Sequence, residues 1–235
     1  MSTVPTSWLI SILAMFIAAA VVSKPQLPVA TRVFFGLGLA LIAVVTGFVG
    51  LRSEYGFEAL SRMQPHLAVL MAPMLWLGFQ SLASSTGTPA RSKSLRVASG
   101  IVAAELALFV PTPWSADVVV IAANSVYVVL LAAMLRQPQD TFVQVAPNKF
   151  RLIRFALLFA LFFIALIAAA DVTILLAMLS AGNAGAIHLL TGVSGVIVAV
   201  VLLGALIGTP LFLGAQSQEA SPDTAAQAAS DKDKE

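Results

Sequence analysis

Two acidic residues sit inside long apolar runs, Glu105 in IVAAELALF and Asp171 in IAAADVTIL. An ionisable group within a bilayer span is costly to keep there, so each is a candidate functional group. Facing a cavity, the two carboxylates could bind a cation or a proton, or anchor a polar ligand. Facing a helix interface, they would be interior hydrogen-bonding groups with Asn124, Gln80 or a hydroxyl as partner. At 1.5 Å per residue, Glu105 falls about 15 Å along an apolar run that starts at Leu95, and Asp171 about 28 Å along one that starts at Leu152, near its outer end.

Further polar residues gather in joints and run ends on that same side: Glu54, Tyr55, Glu58, Arg62, His66, Asp117 and His188. Such a rim could receive a small polar molecule or sense pH, since ordinary imidazoles titrate near about pH 6.5. It could equally be a wetted edge with no role. Asp117 and Trp114 also suit helix capping and interface anchoring. In HLAVLMAPMLWLGF, Pro73 permits a kink beside which Trp76, Phe79 and Gln80 either line a cavity or pack. The candidate ligand-binding set is therefore Glu105, Asp171, His188, Asn124, Gln80 and Trp76.

Other chemistry is excluded by what the chain lacks. It has no cysteine and two histidines, which removes thiol nucleophiles, thiolate metal sites and multi-histidine centres. No HExxH, P-loop, GxSxG or dinucleotide fingerprint occurs, and the last apolar run has no lysine for a retinal Schiff base. No enzyme activity, catalytic residue, metal or cofactor is expected.

The elements that must position these residues follow from composition. Hydrophobic residues make up 59% of the 235, charged residues 10%, against about 45 to 50% and about 25% in soluble domains. Mean hydropathy is +0.96. Lipid must be the solvent for most of this surface. Seven runs approach the length of about 20 apolar residues that a spanning helix needs: 4–22, 33–51, 67–83, 95–110, 116–135, 152–174 and 187–213. Breaker-rich or polar joints separate them at 23–28, 52–66, 84–94, 111–115, 137–148 and 182–185. Runs such as FALLFALFFIALIAAA lack the alternation of a barrel strand, so the spans are helices. The expected fold is all-α, a polytopic membrane protein with residues 1–215 as a seven-helix domain and 216–235 as a polar, disordered cytoplasmic tail.

The basic residues act as topology signals. With the N-terminus outside, the cytoplasmic joints hold Lys24, Arg32, Arg91, Lys93, Arg96, Arg136, Lys149, Arg151 and Arg154, and the outer joints only Arg52 and Arg62, which favours N-out and C-in. The opening MSTVPTS has no basic residue, so the first run reads as a retained helix rather than a signal peptide. The small residues of GVSGVIVAVVLLGALIG suit close helix packing, within one chain or between copies.

Two stretches, LSRMQPHLAVLMAPMLWLGFQSLA and NKFRLIRFALLFALFFIALIAAADV, resemble the seven-helix membrane region at the N-terminus of certain bacterial AraC-type regulators. Gln64, Pro73 and Phe79 match that family's third helix, with Trp76 at altered spacing. Arg151 or Arg154 and Asp171 match its sixth. The resemblance implies a sensory or regulatory membrane domain in a bacterial inner membrane, served by a cytoplasmic regulator or a second copy of the chain. Where the family's DNA-binding part would begin, this sequence has its polar tail, so no direct nucleic-acid binding is expected. The expectation is a non-enzymatic membrane sensor taking a small polar ligand from the outer side. A small transporter or channel component using Glu105 and Asp171, or an accessory subunit of a larger complex, are the alternatives.

Overall fold

The computed structural model describes residues 6–25, 27–57, 59–83, 90–110, 115–142, 145, 149–177 and 179–180. Among them every regular element is a helix, with no strand. The helices are α1 (Thr6–Val22), α2 (Val29–Tyr55), α3 (Ala59–Ala83), α4 (Ala90–Leu108) and α5 (Ser115–Leu135). A 3-10 turn at Gln139–Thr141 and α6 (Phe150–Ala177) follow in the sequence. The expected seventh run, 187–213, and the tail from Gln216 lie outside the described residues, as does His188.

Among the described residues, four helices contain stretches long and apolar enough to cross a membrane: Val29–Arg52, Arg62–Ala83, Ala116–Leu135 and Phe150–Ala177. The apolar parts of α1 and α4, Ser7–Val22 and Val97–Leu108, are shorter. Each run becomes helix because a helix satisfies its own backbone groups where no water can. The outward faces belong to a membrane protein: Phe16 is 71% exposed, Val129 66% and Phe162 55%, a surface of a kind that soluble monomers rarely leave bare.

Consecutive helices run antiparallel. α2 lies between α1 and α3, and α3 also packs on α4 and α5. Cross-helix polar contacts fix the register. Ser11 Oγ donates to the Ala43 carbonyl at 2.7 Å, tying early α1 to the middle of α2. Thr31 Oγ1 and Ser81 Oγ meet at 2.7 Å, tying early α2 to late α3. Between these ties the core is apolar: Ala43, Ala72 and Leu82 from α2 and α3 are continuous with Leu131, Met134, Leu157 and Phe163 from α5 and α6. Phe35 meets Phe79 edge to face with ring centroids 4.7 Å apart.

The polar joints are shorter than the apolar runs suggest. Residues 52–66 were expected to be a joint, but α2 continues to Tyr55 and α3 starts at Ala59, so His66 is helical. Gly56 makes the tight reversal, closing α2 in the left-handed region at φ 67° with its N–H on the Arg52 carbonyl at 3.2 Å. α4 likewise begins at Ala90, inside the expected joint 84–94. Hydropathy marks where lipid ends, whereas helical hydrogen bonding continues into the polar layer.

Candidate functional site

Antiparallel packing places the starts of α1, α3 and α5 and the finishes of α2, α4 and α6 at one end of the bundle. There His66 on α3 meets Glu105 on α4, Nδ1 to Oε2 at 2.6 Å. With the imidazole protonated the contact is an ion pair; with the ring neutral and Nδ1 carrying its hydrogen it is a donated hydrogen bond. The side chains are 35% and 26% exposed, so the pair shields each partner yet stays within reach of a solute. Phe109, just beyond α4, sets its ring 5.5 Å from the His66 ring and covers one flank.

Glu105 lies about 22 Å along α4 from its start at Ala90, rather than about 15 Å from Leu95, and because α4 finishes at Leu108 it stands one turn from the helix's finish. Its partner is neither Asn124 nor Gln80 but His66, left among the rim residues in the sequence reading. The hairpin geometry carries the missing signal. His66 lies about 25 Å from the α3 finish and Glu105 about 22 Å from the α4 start, so two antiparallel helices bring them level.

Asp171, half-buried on α6, and Asp117, exposed in the first turn of α5, occupy the same end. Asp117 suits the positive end of the α5 dipole. Glu105, Asp117 and Asp171 make the α4, α5 and α6 side of this end acidic. Arg52 and Arg62, both exposed, belong to α2 and α3.

The other candidates lie deeper. Asn124 is 2% exposed, and its Nδ2 amide has no hydrogen-bond partner among the described residues. It stands about 10 Å along α5 from Asp117. One turn further, Tyr127 sets its ring 6.5 Å from that of Trp76. Trp76 is 9% exposed and belongs to the apolar core, about 15 Å along α3 from His66. Gln80, half-buried one turn beyond Trp76, is engaged in an interaction of its own. The structure thus brings Glu105 into contact with His66, places Asp171 and Asp117 at the same end of the bundle, and sets Trp76 and Gln80 deeper. No group of three or more metal-binding side chains occurs among the described residues.

No protein-family model, curated protein or solved structure matches the chain.

Proposed function

We propose that this membrane protein is a non-enzymatic sensory or regulatory domain whose α3–α4 contact responds to a small polar, preferably cationic, ligand. The His66–Glu105 contact carries the reading: it bridges two helices, is partly exposed, and has a carboxylate for which a cation or amine would compete with the imidazole. Freeing Glu105 from His66 would loosen α4 from α3 at one end. The opposite helix ends would receive the shift, provided the ligand has different affinities for the two arrangements. In this reading the His66 end faces outward, and the basic joints and tail face the cytoplasm of a bacterial inner membrane, in a seven-span N-out, C-in arrangement. The likeness to the membrane region of AraC-type regulators supports the assignment. A separate cytoplasmic regulator or a second copy of the chain would then take the signal onward.

A transporter or channel component is the second reading, favoured by the orphaned Asn124 amide between the outer carboxylates and the middle of the bundle. Buried polar groups without partners are rare, and a translocated solute passing Asn124 would supply one. The third reading, an accessory subunit, needs no ligand.

The deciving experiment is thermal unfolding of the purified protein with amino acids, polyamines and divalent cations, since a ligand of the native state raises the melting temperature by mass action. A rise with one of these, lost in Glu105→Gln, supports the site. A rise that survives replacement of Glu105, Asp171 and His188 together overturns it. Proteoliposome uptake that depends on Asn124 would select transport, and the absence of any rise would select the accessory role.

A further inference from the structure

The feature that the outer-end reading leaves unused lies at the other end of the bundle, where α1 finishes and α2 starts. A groove of about 460 Å³ runs there, lined by Val22, Val29, Arg32, Val33, Gly36 and Leu37. Val29, Val33 and Leu37 are spaced four apart, forming a stripe along α2, and they are 66%, 48% and 50% exposed. Gly36 lets α1 come close: a Cβ there would lie 2.5 Å from Val22 Cγ2. We infer that this groove binds one anionic membrane phospholipid, its acyl chain lying along the valine and leucine stripe and its headgroup phosphate on Arg32.

Charge selects the occupant. Arg32 Nε is buried and has no hydrogen-bond partner among the described residues, so a donor in apolar surroundings awaits an acceptor. The start of α2 adds to the same field: its N-cap is Pro28, which makes no side-chain cap, and its first turn contains no acidic residue. Helix starts of this kind favour anions. Lys24, in the joint before α2, adds positive charge. A guanidinium matches phosphate oxygens in two-pronged geometry and, one turn into the span Val29–Arg52, lies near headgroup depth. A soluble anion would use the charge and leave the stripe empty, and a neutral lipid would do the reverse. The inference rests on α2 spanning a bilayer and is independent of the His66–Glu105 site.

The test is native mass spectrometry of the full chain released from micelles containing equal amounts of phosphatidylglycerol and phosphatidylcholine. The native chain should retain phosphatidylglycerol about fivefold over phosphatidylcholine, the preference a single basic residue near the membrane surface confers. Arg32→Gln should abolish that preference, and Leu37→Trp, which fills the groove from its exposed side, should reduce the bound lipid. Arg52→Gln, at the far end of α2, should leave both unchanged. Equal retention of the two lipids by the native chain, or a preference that survives Arg32→Gln, overturns the inference. Displacement of the lipid by inorganic phosphate alone overturns the lipid as the occupant. Should Arg32→Gln fail to fold, unaltered lipid retention in Leu37→Trp, where the substituted position is half-exposed, is by itself enough to overturn it.

Discussion

The two ends of the bundle hold their polar groups differently. At the His66 end, beside the exposed Arg52, Arg62 and Asp117, an imidazole and a carboxylate from neighbouring helices meet across 2.6 Å. At the other end, Arg32, Arg136, Arg151 and Arg154 have no ion pair among the described residues, and the last three are exposed. Paired charge ties helices together and can be competed for by a solute. Unpaired positive charge at a helix end faces lipid phosphates and fixes orientation. On the proposed function, the first end would respond to a solute while the second holds position against lipid.

That contrast can be broken most completely by testing sidedness. The chain has no native cysteine, so single-cysteine variants Arg136→Cys and Tyr55→Cys can be probed in intact cells with a membrane-impermeant thiol reagent. Tyr55→Cys should label and Arg136→Cys should not, an all-or-none difference; the reverse pattern would turn the proposed orientation over.

Next in size is the pair itself. Glu105→Gln and His66→Gln, singly and together, form a double-mutant cycle in unfolding. Partial exposure screens the pair, so the coupling should be about 1 kcal/mol. A coupling indistinguishable from zero would reduce the contact to incidental proximity.

A smaller loss is expected where the ends are tied by neutral groups. Thr31→Val removes the Thr31–Ser81 hydrogen bond and should cost about 0.6 kcal/mol, the average for interhelical hydrogen bonds in membranes. A loss well above that of the His66–Glu105 pair would place the tighter tie at the Arg32 end.

The smallest effect separates the two functional readings. Asn124→Leu replaces an unpartnered amide with an apolar side chain of similar size, so stability should hold or rise slightly, because an unmade buried hydrogen bond is the costly state. A marked loss of stability would mean the amide is satisfied in the native membrane protein and would remove the observation favouring transport.

The helical character of the chain and its membrane class were legible because both depend on local properties. Apolar runs without alternation, in a chain with 10% charged residues, leave helices in lipid as the workable solution. The runs at 33–51, 67–83 and 152–174 lie within α2, α3 and α6. Helix ends were less legible: Tyr55 and Ala90 belong to helices because backbone hydrogen bonding continues past the point where hydropathy falls. Glu105 stood out from sequence because a carboxylate in an apolar run is costly wherever the run folds. Trp76 illustrates the converse. An aromatic beside a helix proline suits a cavity or a core, and the packing of Tyr127 from another helix put it in the core.

Sequence by itself determined the solvent of this protein, the presence of its helices and which polar residues would be expensive to place. Tertiary structure alone decided which of those residues meet. Glu105 and His66 are 39 positions apart in the chain, and their contact exists because two antiparallel helices with a short connection bring similar heights together. Arg32 carries the same charge as Arg136, but it lines the groove where α1 passes close to α2 at Gly36, and its Nε is buried. Side-chain identity is local, whereas a partner, or the lack of one, depends on how distant helices pack.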